Sequence, residues 1–435
     1  ETLQSLNQLC VRLVFCLFAE DAGLFGDKNE FHDYLNRFSA RDIRRALIDL
    51  FKVLDTKPED RDPYLDDDLK AFPYVNGGLF SKEDLEIPQF TDELRSLILS
   101  KASEDFDWSE ISPTIFGAVF ESTLNPETRR SGGMHYTSIE NIHKVIDPLF
   151  LNQLYHEFDA CATKKDYERF QDKLASLTFF DPACGSGNFL TETYVSLRRL
   201  ENKVIQKLQG AQIVMGDFAS PIKVNIHQFY GIEINDFAVS VATTALWIAE
   251  LQMMRETEKI VSFNDNPLPL KAYHNIHEGN ALRIDWTEVI APAKLSYIMG
   301  NPPFVGTKYQ TPAQKEDILN LCPDLKPLDY VTGWYKKADD MMEQNHNIKT
   351  AFVSTNSITQ GEQVAPLWKI IKSHIDFAYP TFRWDSESSL KAHVHCVIIG
   401  FGANASTSAP RLYLPDGTYK PCNNINGYLI DADNV

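Results

Sequence analysis

Cysteine gives this chain no framework. Its seven cysteines are odd in number, scattered, and form no CxxC pair. That pattern fits reduced, intracellular thiols rather than a disulfide or zinc scaffold. Long apolar runs are missing too, since none reaches the ~20 residues needed to span a bilayer. The opening Glu1-Thr2-Leu3-Gln4 has neither an initiator Met nor a signal-peptide pattern. It reads as the start of a cut or processed chain. Positive charge is scarce: 42 lysines and arginines stand against 60 acidic residues, for a net −18. A stand-alone duplex binder usually carries a basic face, because phosphate contacts dominate affinity. Net charge leaves room for a local basic groove, yet any main grip on a duplex is expected outside this chain. There is no internal repeat and no low-complexity tract.

What is present is ordinary soluble-protein composition, 43% hydrophobic over 435 residues. That length suggests two or three domains. The first 125 residues read as helices. Leu3, Leu6, Leu9, Leu13, Leu17 and Phe18 form one helical stripe; Ile43, Leu47, Leu50 and Leu54 form another. An acidic, proline-bearing loop at 55–70 follows, then a compact aromatic turn, FPYVNGGLF, at 72–80. Helices are expected at 91–101 and 112–124. Nothing in this layer suggests chemistry, and it reads as a structural spacer.

Chemistry begins at Phe179–Leu190, FFDPACGSGNFL. A short apolar run precedes it and a long amphipathic one follows, at about 188–208, which is strand, tight loop, helix. Pro182 stops the strand, and Gly185 and Gly187 let the backbone turn sharply and approach a ligand. Asp181 sits at the carboxyl end of the strand, where open α/β sheets bind their ligands. A polar insertion at 209–228 separates this unit from a second strand, Phe229–Ile234. That strand ends in Glu233, a carboxylate placed to accept both ribose hydroxyls of a nucleoside. Asp181 and Glu233 are 52 residues apart, more than the ~20 of a simple dinucleotide unit, and the insertion accounts for part of the excess. An apolar helix is expected at 237–254.

The second signal is Gly300-Asn301-Pro302-Pro303-Phe304-Val305-Gly306, directly after a buried-type strand at 295–299. Two prolines fix the backbone and remove two donors, leaving carbonyls to accept. Asn301 adds a side-chain acceptor at the same place. Together they can hold an exocyclic amine by both its hydrogens, and Phe304 offers a flat face to a base. Further on, the pattern predicts a helical run ending at Gln344, a strand at 350–355, a helix at 363–373 and a strand at 375–380. Phe382-Arg383-Trp384 reads as an aromatic turn, and 394–401 as a closing antiparallel strand. Upstream, the glycine-bearing basic loop 126–138 leads into a helix at about 139–154, with Thr137 or Ser138 as its cap and Glu140 in its first turn.

DPACGSGNF, GIEIN and NPPF together resemble the class I, gamma-order, N6-adenine DNA methyltransferases. FPYVNGGLF, FGAVFESTLNPETRRSGGMHYTS and NPPFVG bring the resemblance closest to the MmeI-like (type IIL/IIG) restriction–modification enzymes. The likeness covers nearly the whole chain. It implies a Rossmann-like α/β sheet that binds S-adenosylmethionine (SAM), mostly parallel with one antiparallel strand and preceded by an all-helical domain. The boundaries expected are a spacer at 1–125, a catalytic domain at 126–405, and at 406–435 the start of a segment leading to a target-recognition domain. The resemblance assigns SAM to Tyr136, Thr137, Asp181, Pro182, Ala183, Gly185, Gly187, Phe189, Glu233, Ile234, Asn280 and Ala281, with Tyr136 and Thr137 at the methionine end. It assigns catalysis to Asn301, Pro302, Pro303 and Phe304. Glu278-Gly279-Asn280-Ala281-Leu282 departs from the family's usual Gly-Asp-Ala-Leu, in which the acid meets the adenine amine. An amide can still hydrogen-bond an adenine edge.

The partner implied is double-stranded DNA with its target adenine flipped out, in the cytoplasm of a bacterium and with no role for a membrane. Phe382 or Trp384 would face Phe304 across that base. The family's nuclease and recognition domains are not found in this stretch; no PD…ExK pattern precedes the first helix. Two readings stay open beside this one: amino-methylation of RNA or protein glutamine, and a silent SAM-binding scaffold. Metal is not expected: His393 with His395, and His274 with His277, lack a completing Cys or carboxylate cluster. Cys184 has no base nearby in sequence, so packing is its expected role.

Overall fold

The structure is a computed structural model and describes residues 2–434 apart from 27–28, 76, 82–84, 118–136, 210–219, 264–266, 324–327, 385–393 and 405–407. Tyr136, His393 and the 126–136 loop lie outside the described residues, as does most of the helix expected at 112–124, of which 113–117 is helical.

The strands are β1 (Phe179–Asp181), β2 (Phe229–Glu233), β3 (Ile276–Glu278), β4 (Tyr297–Gly300), β5 (Lys349–Thr355), β6 (His374–Trp384), β7 (Val394–Gly402), β8 (Arg411–Tyr413) and β9 (Tyr419–Pro421). They form one sheet in the order β3-β2-β1-β4-β5-β7-β6-β8-β9. Within the first seven, β7 alone runs against its neighbours. This is the mostly parallel sheet with one antiparallel strand that the resemblance implied. Beyond it, β8 joins β6 in parallel and β9 adds a second reversed strand at the edge, where the sequence suggested only turns.

Aromatic rings hold the register at the centre. Phe179 pairs with Phe229 on one side and Tyr297 on the other. Its ring stacks on both, with centroids at 5.2 and 5.6 Å. Cross-strand contacts of this kind stabilise a register directly, and a one-residue slip would turn Phe179 to the opposite face. On that opposite face Phe180 meets Trp286 edge-on.

The helices Asn188–Gln209 and Asp236–Glu258 cover the same face as Phe179. Asp236–Glu258 is long and apolar enough to cross a membrane by composition, but 67% of its most apolar window is buried inside the fold. The helix Thr2–Asp21 packs on it, and Gln4 hydrogen-bonds Asp236. The helical layer and the sheet thus share one apolar core, from Phe15 and Leu50 through to Phe179 and Met299. Buried Phe72 and Phe80 anchor the aromatic turn.

The helix expected at 139–154 begins at Ile139, widens to π geometry over Asp147–Leu151 around Pro148, and resumes to Asp159. A proline inside a helix removes an i→i−4 bond, and the wider turn accommodates it. One reading is corrected. Phe382-Arg383-Trp384 is not a turn but the end of β6, paired with Cys396, His395 and Val394. The register shift between Tyr379 and Phe382 falls at Pro380 and Thr381. A proline cannot donate to the ladder and favours such an irregularity.

Candidate active site

The carboxyl ends of β1 to β4 and the segments that follow them enclose a cavity of about 570 Å³. From the β1 loop come Asp181, Pro182, Ala183, Gly185 and Phe189. From β2 come Glu233 and Ile234, from the loop after β3 Asn280 and Ala281, and from the loop after β4 Asn301 and Pro303. Thr137 closes one side. Of the candidates, Gly187, Pro302 and Phe304 are not among the lining residues. Gly187 serves from behind: its φ is +84°, and a Cβ there would come 2.9 Å from that of Ala242. The Asp236–Glu258 helix can approach the loop only because nothing projects. Phe304 packs half-buried on the core shared by Phe382 and Tyr379.

Backbone N–H groups fix the acids. Glu233 Oε2 accepts from Gly185 N at 2.9 Å, and Oε1 from Asn235 N at 3.0 Å. Both oxygens are therefore aimed. Asp181 is fully buried and accepts from Ala183 N at 3.0 Å. Burial pushes its carboxyl up to about 8; the Ala183 N–H opposes this, and the charge of Glu233 adds to it. Cys184 packs against Gly231, and burial holds its thiol well above the usual range. It is an inert packing group.

The acceptor loop is set by a contact across the chain. Asn301 Nδ2 donates to Thr137 Oγ1 at 3.2 Å. Thr137 is free to accept because Ser138, not Thr137, caps the next helix, through Asn141 N. With its NH₂ held there, Asn301 turns its oxygen the other way. That Oδ1 is buried and has no hydrogen-bond partner among the described residues. An orphaned acceptor of this kind is rare in a folded interior. It fits a ligand amine.

Several lining residues had no role in the sequence reading: Asn235, Arg283, Gln314, Asp317, Tyr330 and Trp334. Trp334 Nε1 donates to Pro182 O at 3.0 Å and so braces the β1 loop. Asp329 ties the acceptor loop to its surroundings, accepting from Thr307 N at 2.8 Å and Gln363 Nε2 at 2.9 Å. The aromatic run Asp329–Tyr335 was visible in sequence, but nothing local showed that it would fold back on Pro182.

A larger cavity, about 780 Å³, lies on the other flank of the Asn188–Gln209 helix, among Glu110, His143, Glu192, Arg199 and Arg255. It holds none of the motifs. At its edge His143 sits between Asp147 (2.8 Å) and Glu192 (3.1 Å). Hydrogen bonds to both push the imidazole up to about 10. No group of three or more metal-ligating side chains occurs among the described residues.

Comparison with known proteins gives the chain a family. The family model "MmeI, DNA-methyltransferase domain" matches residues 158–414, and "MmeI, helicase spacer domain" matches residues 4–80. DNA methyltransferase A of Bacillus subtilis (strain 168) is 40% identical over 449 residues, covering 100% of this chain and 50% of that protein. A putative type II restriction enzyme and methyltransferase of Methanocaldococcus jannaschii is 25% identical over 346 residues, covering 67% of this chain and 28% of that protein. The structure of the type IIL restriction-modification enzyme MmeI in complex with DNA superposes with a TM-score of 0.92 at 43% identity. It covers 99% of this chain and 59% of that one. The chain thus spans about half the length of the B. subtilis relative.

Proposed function

This chain belongs to the MmeI family of DNA methyltransferases, and on that premise we propose that it transfers a methyl group from SAM to the N6 amine of adenine in double-stranded DNA. It does so as the modification part of a larger restriction–modification enzyme, in the bacterial cytoplasm. Residues 1–125 act as the spacer, 126–405 as the catalytic domain, and 406–435 lead towards a recognition domain.

The observation that carries the reading is Asn301, whose buried Oδ1 has no hydrogen-bond partner among the described residues, lining one cavity with the aimed carboxylate of Glu233. A neutral exocyclic amine is a poor nucleophile because its lone pair is delocalised into the ring. Hydrogen bonds from its two hydrogens to Asn301 Oδ1 and the Pro302 carbonyl localise that pair on nitrogen. The positive charge that develops there meets fixed acceptors, which need no reorganisation. SAM supplies an activated methyl on a sulfonium, so the protein has mainly to align and to exclude water. Glu233 accepts the ribose hydroxyls. Pro182, Ala183 and Phe189 wall the β1 side, and Asp181 presents a carboxyl to the cofactor. Phe304 stacks on the flipped base, opposite Phe382, whose ring Lys144 approaches at 5.5 Å.

Radiolabelled SAM supplied with duplex DNA, RNA and a glutamine-bearing protein tests the reading. Label recovered as N6-methyladenine in DNA is expected. Label in RNA or in protein replaces this reading with one of the other two acceptors. No transfer to any, with SAM bound, means a silent scaffold.

A further inference from the structure

Glu233, on β2, has as its neighbour the loop after β3: Gly279 N donates to Glu233 O at 2.8 Å. Asn301 follows β4, two strands away on the other side. A nucleoside whose ribose meets Glu233 and whose reactive end meets Asn301 therefore places its base on the β3 side, among Asn280, Ala281 and the helix Pro312–Leu321. Of that helix, Ala313, Gln314 and Asp317 line the cavity. An adenine there presents an amine, and its two hydrogens need an acceptor.

Among the described residues the side-chain acceptors at this end are few; the neutral ones are amide oxygens already turned to the backbone, and Asp317 alone carries a charge. Asn235 Oδ1 caps Ala238 N at 3.1 Å. Gln314 Oε1 accepts from Thr311 N at 2.9 Å in a capping box. Asn280 Oδ1 accepts from Leu282 N at 2.9 Å, which turns its NH₂ outward. That NH₂ donates to Asp317 Oδ2 at 3.1 Å, and Tyr330 Oη donates to the same oxygen at 2.9 Å. Arg283 Nε donates to Asp317 Oδ1 at 2.7 Å. A carboxylate offers about four lone pairs, so Oδ1 keeps one. The carboxylate is almost fully buried, its side chain 3% exposed, and charge-assisted bonds of this kind are the strong ones.

We propose that Asp317, from a helix outside the β3 segment, is the acceptor for the exocyclic amine of the cofactor's adenine, and that Asn280, Tyr330 and Arg283 hold its carboxylate for that purpose. The inference rests on the proposal that this cavity binds SAM. Asn280 acts on the cofactor through Asp317, as a donor that orients the acid. The pair can be read as one acid and one amide joined across 3.1 Å, and exchanging them moves the acid to the other end of the same hydrogen bond.

Calorimetry tests this with two ligands, SAM and its analogue in which the 6-amino group is replaced by oxygen. The proteins are the wild type, Asp317→Asn, and the exchanged double variant Asn280→Asp/Asp317→Asn, each checked for folding by thermal unfolding without ligand. The wild type should prefer SAM. Asp317→Asn should bind SAM roughly 10- to 100-fold more weakly, the usual worth of a hydrogen bond to a charged group, while the analogue changes by no more than about threefold. The exchanged variant should regain the preference, and it carries the test if Asp317→Asn does not fold. Equal weakening of both ligands, an unchanged preference in Asp317→Asn, or a wild type that takes both alike would overturn the assignment. A wild type that binds neither ligand would instead overturn the reading of the cavity as a SAM site.

Discussion

Asn301 donates its amide to Thr137, 164 positions earlier in the chain, and that bond turns the Asn301 oxygen away from Thr137, buried and without a hydrogen-bond partner among the described residues. The threonine acts through the asparagine. Thr137→Val removes the acceptor and lets the amide rotate, so turnover should fall about tenfold, the worth of one ordinary hydrogen bond. Thr137→Ser keeps the hydroxyl and should restore most of it. Single-turnover methylation of duplex DNA measures both, and equal activity in the Val variant would remove Thr137 from the machinery.

Asn301→Ala should lower the methylation rate by about 10²–10³, the usual cost of one preorganised hydrogen bond at a developing charge. SAM affinity should stay within a few-fold, because the lost contact is to the target amine. Rates within a few-fold of wild type would sink the assignment.

Glu233→Ala should weaken SAM binding roughly 10- to 100-fold, since it deletes a charged acceptor. It also frees Gly185 N and Asn235 N, which the carboxylate holds. Glu233→Gln separates the two effects, as it keeps an acceptor for one N–H but not the charge. Calorimetry on the purified chain reads both, and unchanged affinity in the Ala variant would show that the second strand does not bind the ribose.

Gly300 joins β4 to the acceptor loop with φ at +156°, and a Cβ there would lie 3.0 Å from the carboxyl carbon of Asp181. Gly300→Ala must displace either the loop or the acid. Overpacking of this sort costs about 1–3 kcal/mol, so the apparent Tm should drop by about 2 °C or more. Methylation should fall further than stability alone explains, because the displaced groups are those of the site. Differential scanning calorimetry beside the rate assay checks both.

His143 gives a pH dependence of known sign. In the folded chain its imidazole is raised from 6.5 to about 10 by Asp147 and Glu192. A raised histidine stabilises fully below the unfolded value, and the contribution disappears as pH climbs through the folded one. The Tm difference between wild type and His143→Gln should therefore be largest near pH 6 and close by about pH 10. The imidazole is partly exposed, so solvent screening keeps the effect modest. A difference that grows with pH would contradict the clamp.

The parts legible in the sequence are those whose cause is local. The helix Asn188–Gln209 was expected at about 188–208, where a long amphipathic run follows the tight loop. The β1 loop was readable because Pro182 and two glycines declare a tight turn. Glu233 was readable because a strand end with an acid, followed by a helix start, is written within a few residues. What was hidden depends on distant partners. Phe382 looked like part of a turn because only its pairing with Cys396 makes it a strand residue. Asp317 had no reading at all, since nothing local in the sequence marks it. Its burial comes from Asn280, Arg283 and Tyr330, which reach it from three other places in the chain. Thr137 and Ser138 were interchangeable as caps until the structure gave the cap to Ser138.

The helical layer touches the β1 loop from outside. Gln252 binds the carbonyls of Ser109 and Ile111 at 3.0 and 2.8 Å. In the helical segment 113–117 that follows, a Cβ on Gly117 would come 2.6 Å from Ser186 Oγ. The loop is thus clamped between the Asp236–Glu258 helix and a segment of the helical layer. Thermodynamically, much of its ordering is done during folding, so little is left for the moment a ligand arrives. If residues 1–117 were removed and the remainder stayed folded, the same contacts would form with a less favourable binding entropy, and the heat of binding would change far less than the affinity. On the reading of the cavity proposed above, the helical layer thus contributes to SAM affinity through the ordering of the β1 loop.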